Sequence, residues 1–218
     1  MDQRFKDIKV IAWDLDTTLY KPNPVLGKAF LDGCVEEVAK VKNLSFARAE
    51  KLFNEERKKT NSSTQVLLNF FKMKTPQDVF YKMWEIQKRI GKINYLHKDP
   101  KLPEMFDRLS GFRHFIISNS VPEEIENVLS AIGLDSKYFE KLISVVDTGE
   151  PKPSLKPFRS LLELTGLPSG QHLMIGDRED VDIEPAKKLG FKTILVWGQS
   201  FLADASLSSV YEVADLLL

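Results

Sequence analysis

The residues best suited to chemistry in this 218-residue chain lie at four separate places, each near the end of a short apolar run. They are Asp14-Leu15-Asp16-Thr17-Thr18, Ser118-Asn119, Lys152, and Gly176-Asp177 with Asp182. Alternate side chains of an extended segment share a side, which brings Asp14 and Asp16 together. Two carboxylates so close repel, and one pKa rises unless a cation or hydrogen bonds intervene. Such a pair suits a divalent site with oxygen ligands, or catalysis by a nucleophile and an acid. By itself the pair reads more plainly as a strand end followed by a turn of solvated acids.

The fourth place adds weight. Glu179 and Asp180 are explained well enough as acids favouring a helix N-terminus. Asp177 is not, because it directly follows an apolar strand and a glycine and would project into a crevice. If Asp14, Asp16 and Asp177 converge, a hard cation such as Mg²⁺ relieves their repulsion. Ser118 and Asn119 supply a hydroxyl, an amide and a helix N-terminus ahead of Pro122, all suited to a phosphate. Taken alone, they read more plainly as an ordinary helix cap. Lys152 stands between Pro151 and Pro153, which restrict the backbone and fix the direction of the side chain. A lysine in a surface loop is the commoner explanation for one such residue.

These residues need elements to position them. Apolar runs at Ile8–Trp13, Arg113–Ser118, Leu142–Val146, His172–Ile175 and Thr193–Trp197 read as buried strands. Helical patterns at Pro122–Ile132, Lys156–Leu164 and Val181–Leu189 separate the last four, with Gly133, Gly166 and Gly190 at their ends as left-handed caps. Strands alternating with helices imply a parallel sheet covered on both faces, and in such sheets ligands bind beyond the carboxyl ends of the strands. The stretch from Pro24 to His97 has no strand pattern. It carries helical patterns at Val25–Lys42, Phe46–Lys59, Thr64–Met73 and Pro76–Ile90, with Thr75 as an expected cap. The expectation is an α/β fold: a doubly wound, Rossmann-like parallel sheet core with an inserted all-helical cap domain. Residues 1–20 and 98–218 form the core, and 21–97 the cap.

Lysine and arginine number 31, as do aspartate and glutamate, so the net charge is zero. That argues against nucleic-acid or membrane-surface binding through bulk charge. A lone cysteine, Cys34, excludes an intramolecular disulfide and a cysteine-rich zinc module. No apolar run approaches the roughly 18 residues needed to span a bilayer. The polar start Met1–Lys6 lacks the apolar stretch of a signal peptide, so a soluble cytoplasmic protein is expected. His97, His114 and His172 read as structural.

Taken in order, WDLDTTLY at Trp13–Tyr20, FIISNS at Phe115–Ser120, GEPKPSLKPF at Gly149–Phe158 and MIGDREDVDIEPAKKLGF at Met174–Phe191 resemble the haloacid dehalogenase superfamily. The resemblance is to the group with a helical cap inserted after the first motif, and it spans the whole core. It implies that Asp14 is the nucleophile that takes a phosphoryl group, and that Asp16 is general acid and then base. Thr18 would orient the pair, Ser118 would bind phosphate oxygens with Asn119 beside it, and Lys152 would stabilise Asp14 and the transferring group. Asp177 would ligate Mg²⁺ with the Asp14 carboxylate and the Asp16 backbone carbonyl, and Asp182 would act through water or by positioning Lys152. Thr17 stands where glycine or asparagine is common, and Ser154-Leu155 replaces the frequent Asp-Pro.

The implied activity is a Mg²⁺-dependent phosphatase acting on a small phosphate monoester, a nucleotide or sugar phosphate. The DLDTTLY and GDREDVDIEPAKKLG stretches are similar to the pyrimidine 5′-nucleotidase-like branch. Tyr20, Lys21, Asn23 and Arg57-Lys58-Lys59 are candidates for specificity, although such a basic run is usually a solvated face. A phosphomutase would use the same aspartyl-phosphate and differ in the acceptor. A catalytically idle scaffold is a reading from another class, and the intact acids argue against it. Asp16 argues against dehalogenation, because the dehalogenases of the superfamily lack an acid there. A phosphonatase would need a lysine in the cap that forms a Schiff base, and the cap has many lysines.

Overall fold

Short runs of mostly apolar and β-branched residues become five strands, β1 Val10–Trp13, β2 Arg113–Ile117, β3 Lys141–Ile143, β4 His172–Gly176 and β5 Lys192–Val196, and a sixth, β6, forms at Ala205–Leu207. The computed structural model describes residues 2–60, 63–71 and 76–218. Within them the strands form one sheet in the order β3-β2-β1-β4-β5-β6, with every neighbouring pair parallel. This is the doubly wound order, with its topological switch between β1 and β4. The register sets Trp13 level with Ile116 and Ile175, so the chain leaves β1, β2 and β4 at nearly the same height. Polar residues that follow those positions must meet at one edge of the sheet.

Alternation sorts the strand side chains onto two faces. Val10, Ala12, Phe115, Ile117, Ile143 and Met174 face Phe158, Leu161, Ala186 and Phe191. Each large side chain buried in this way contributes about 1.5–3 kcal/mol of transfer free energy. On the other face Trp13 packs 5.0 Å from Phe106, and its indole Nε1 donates to His114 Nδ1 at 3.1 Å. His114 Nε2 then donates to the Leu109 carbonyl at 3.0 Å, and burial lowers its pKa, so the ring is a neutral core group. His172 stacks on Phe191 and bonds the Pro168 carbonyl and Thr165 Oγ1. Both histidines are structural.

Three local readings of the sequence change. The run expected as a strand over Leu142–Val146 ends at Ile143. Ser144 accepts the Asp147 N–H at 3.2 Å while Asp147 accepts the Ser144 N–H at 2.8 Å, and this capping box starts a short helix at Val145. The helix expected over Val181–Leu189 is a wide π-type turn at Glu179–Ile183 followed by an α-helix at Glu184–Lys188. Pro185 has no N–H to donate backwards, so a single α-helix cannot run through it. The third change is β6, a half-buried edge strand that lacks an apolar run. By contrast, the helices Pro122–Ile132 and Lys156–Thr165 end on left-handed glycines, with φ of 82° at Gly133 and 65° at Gly166.

Contacts divide the chain into two compact units, Met1–Pro22 with Leu96–Leu218, and Asn23–Tyr95. The sheet belongs to the first. The second is helical, with helices at Pro24–Lys42, Phe46–Thr60, Ser63–Phe70 and Pro76–Arg89. Thr75 and residues 72–74, which had been expected to cap one helix and end another, lie outside the described residues. Asn23 accepts the N–H groups of Val25 and Leu26 and so caps the first of these helices. The Arg57-Lys58-Lys59 run is exposed in a last helical turn, where the dipole favours positive charge. Cys34 is buried, which pushes its thiol up to about 12. No helix among the described residues is long and apolar enough to cross a membrane.

The helical unit also holds a buried charge cluster. Glu37 is 4% exposed and pairs with Lys40 and Lys82, each at 2.9 Å, and with Arg89. Burial pushes the Glu37 carboxyl up, but the three cationic donors outweigh it and hold it at about 2, below its ordinary 4.5. A carboxylate held low in the folded state stabilises above its unfolded pKa, and that contribution is lost as pH falls through the folded value. Glu37→Gln is therefore expected to lower the urea midpoint at pH 7. The gap from wild type should shrink steadily between about pH 4.5 and pH 2, as denaturation curves across that range would record.

Candidate active site

Asp14 is the first residue beyond β1, and its N–H donates to the Ile175 carbonyl of β4 at 2.9 Å. That bond ties the end of β1 to the end of β4, from which Asp177 emerges. Lys152 crosses to the same point from the loop after the short helix Val145–Thr148. Its side chain is 1% exposed, and the ammonium lies 2.7 Å from Asp14 Oδ1 and 2.6 Å from Asp182 Oδ1. Burial opposes its charge, yet the two carboxylates more than compensate and raise its pKa. Lys152 therefore stays an ammonium throughout the neutral range.

The lysine is aimed from behind. Asn119 donates its side-chain amide to the Lys152 carbonyl at 2.9 Å and accepts the Lys152 N–H at 2.7 Å. Both ends of that amide are thus engaged with one residue's backbone. Ser118, next to it, is buried and accepts the Ser120 N–H at 3.1 Å, leaving its own hydroxyl proton available.

The two aspartates of the DxD segment have different partners. Asp14 Oδ2 accepts from Thr18 Oγ1 at 2.8 Å, so one of its oxygens meets an ammonium and the other a hydroxyl. Asp16 meets hydroxyls on both oxygens, Tyr20 at 2.7 Å on Oδ1 and Ser120 at 3.0 Å on Oδ2. Burial and the Asp16 charge raise the Tyr20 pKa, so that hydroxyl keeps its proton. Trp197, just past β5, donates its indole N–H to the Thr18 carbonyl at 3.0 Å and steadies the same turn. Sequence reading missed Ser120 and Trp197, and named Tyr20 only as a candidate for specificity. Their position directly after β2 and β5 was the available signal.

Asp177 and Asp182 complete the cluster. Asp182 sits in the wide turn, where Oδ2 accepts the Arg178 N–H at 3.2 Å while Oδ1 bonds Lys152. Burial pushes the carboxyls of both Asp177 and Asp182 upward, Asp177 to about 6, and the Asp14 charge adds to each. For Asp182 the Lys152 ammonium opposes that rise. Carboxylate oxygens of Asp14, Asp177 and Asp182 lie within 4.8 Å of one another. Such a set consists only of oxygen donors, is crowded with like charge and is only partly offset by Lys152. It therefore fits a hard divalent cation of the Mg²⁺ type.

Gly176 makes this approach possible. A Cβ there would stand 2.4 Å from Asp182 Cβ and 2.5 Å from its Cγ. Gly176→Ala should therefore push Asp182 off Lys152 and cost about 1–3 kcal/mol in urea denaturation, as overpacking does. Gly170→Ala serves as the control, because nothing lies within 4 Å of its added methyl.

The chain is similar to several known proteins. A phosphoglycolate phosphatase of Aquifex aeolicus is 32% identical over 130 residues, a match covering 56% of this chain and 60% of that protein. A glyceraldehyde 3-phosphate phosphatase of Methanocaldococcus jannaschii is 23% identical over 225 residues, covering 96% and 97% of the two chains. Among solved structures, a HAD phosphatase from Thermococcus onnurineus superposes with a TM-score of 0.70 at 21% identity, over 96% of this chain and 98% of that one. The sequence pattern of the haloacid dehalogenase-like hydrolases runs from residue 11 to residue 196, from inside β1 to the end of β5. It takes in every strand that feeds the acidic cluster, and the chain belongs to that family.

Proposed function

We propose that this chain is a phosphatase that hydrolyses small phosphate monoesters, with Asp14 as nucleophile and Asp16 as general acid and base. One observation carries the reading: the two carboxylates have partners of different kinds. An ammonium can only donate, so the Asp14 oxygen that meets Lys152 serves as an acceptor. Hydroxyls donate or accept, so Tyr20 and Ser120 tolerate Asp16 with or without a proton. One group is suited to attack phosphorus and the other to exchange protons.

In the first step an Asp14 oxygen bonds to phosphorus as the ester P–O bond breaks, and Asp16 gives its proton to the departing alkoxide. In the second, water attacks the aspartyl-phosphate and passes a proton to Asp16, while the Asp14–phosphorus bond breaks and phosphate leaves. Both groups return to their starting forms. Lys152 offsets charge as the dianion nears Asp14, and the Ser118 hydroxyl donates to a phosphate oxygen. Asn119 acts through Lys152 by holding its backbone. Asp14, Asp177 and the Asp16 carbonyl would hold Mg²⁺, with Asp182 orienting Lys152. When bound, that cation supplies positive charge that phosphoryl transfer requires.

The named relatives act on phosphoglycolate and glyceraldehyde 3-phosphate, both small alkyl phosphates, and this favours such substrates over nucleotides. The test is a panel of alkyl, sugar and nucleoside phosphates, run with Mg²⁺, with EDTA and with Asp14→Asn. Phosphate release is expected with Mg²⁺ alone, falling by about 10³-fold or more in Asp14→Asn. Turnover that survives EDTA or Asp14→Asn would remove the mechanism. Phosphoryl movement within one sugar, without free phosphate, would mark a mutase.

Tyr20→Phe separates the two carboxylates kinetically. With alkyl phosphates kcat should fall about tenfold with KM nearly unchanged, because alkoxides need a proton to leave. With p-nitrophenyl phosphate, whose leaving group needs none, p-nitrophenolate release in the first turnover should stay within about threefold of wild type in stopped-flow traces.

A further inference from the structure

Thr17 adopts a backbone conformation that its own side chain opposes. Its φ is 62°, in the left-handed region, where a β-branched residue is an outlier and glycine is at ease. Strain of this kind persists where the surrounding structure has a use for it, and such residues gather at functional sites.

The Thr17 hydroxyl supplies that use. Oγ1 lies 2.7 Å from Asp177 Oδ2 and 2.6 Å from the carbonyl oxygen of Asp16. A hydroxyl has one proton and both neighbours are acceptors. Whichever it serves, the other oxygen faces Oγ1 without a proton between them. Thr17 thus stands between an oxygen supplied by the turn after β1 and one supplied by the loop after β4. Its neighbour Thr18 reaches the other Asp177 oxygen, Oδ1, at 3.3 Å. The Thr18 proton is directed to Asp14 Oδ2 at 2.8 Å, so Thr17 is the nearer hydroxyl donor to Asp177. Glycine at position 17 would relieve the backbone and leave Asp177 Oδ2 without this donor.

We propose that Thr17 is a positioning residue of the cation site, its hydroxyl fixing the Asp177 carboxylate against the Asp16 carbonyl so that both face one divalent ion. This rests on the assignment of those two oxygens to Mg²⁺ under Proposed function. Groups that orient a metal ligand by hydrogen bonding typically change affinity by about 10–100-fold. The strained threonine is retained for its hydroxyl, and the backbone needs only a small residue.

Three variants separate hydroxyl from backbone. Thr17→Ser keeps the hydroxyl and removes the β-branch, Thr17→Val keeps the branch and removes the hydroxyl, and Thr17→Gly removes both. The metal-free protein would be titrated with Mg²⁺ alone by calorimetry and with Mn²⁺ alone by electron paramagnetic resonance. Stability would be measured separately by urea denaturation in EDTA. Thr17→Val and Thr17→Gly should each bind both ions about tenfold or more weakly, and Thr17→Ser within about threefold of wild type. In EDTA, Thr17→Gly should be at least as stable as wild type. Unchanged affinity in Thr17→Gly would overturn the proposal while leaving the cation site intact. A loss of affinity matched by a loss of stability in EDTA would also overturn it, as the mark of a fold defect. Wild-type protein that bound neither ion would remove the cation assignment itself.

Discussion

A lysine whose side chain is 1% exposed has to find negative charge inside the protein, and Lys152 finds it on Asp14 and Asp182. An unpaired charge at that depth is strongly destabilising, so the lysine and its two acids form one unit. Much of the surrounding architecture follows from this need. The end of β1 must present Asp14, the wide turn must bring Asp182 inward, and Gly176 must lack a side chain so that Asp182 can pass close by. Asn119 fixes the lysine backbone through both ends of its amide. The stability of the site and its chemistry share the same contacts.

That unit also separates two carboxylates only two residues apart. Asp14 is pinned by a group that cannot accept a proton, whereas Asp16 is cradled by hydroxyls that can change roles. The difference lies in the partners, since the two side chains are chemically identical. Burial, with the Asp14 charge added to it, pushes the Asp177 carboxyl upward at this crowded centre. The strained Thr17 stands beside this same crowded set of oxygens.

Several parts of this arrangement were legible in the residues themselves. β1, β2, β4 and β5 follow apolar runs that no other element explains as well, and the acids after them stand out because strand ends converge in a doubly wound sheet. Legibility failed where a local bond overrode a pattern. Val145 and Val146 favour a strand by side-chain type, but the capping box of Ser144 and Asp147 commits them to a helical turn. Pro185 splits an otherwise regular helical pattern into a wide turn and a short helix. β6 sits at the sheet edge, half-buried, and so has no apolar signature to read.

The sequence by itself determined the fold class, the order of the four motifs and the acids that had to meet, because apolar periodicity and residue type are properties of short segments. Which partner each side chain takes was decided only by tertiary structure. Lys152 meets Asp14 across 138 positions of chain, and Ser120 reaches Asp16 across 104. By residue type alone Asn119 reads as a helix cap, whereas in the folded chain its amide holds the backbone of Lys152. Those pairings depend on strand register and loop path to within a fraction of a hydrogen-bond length, which no local pattern encodes.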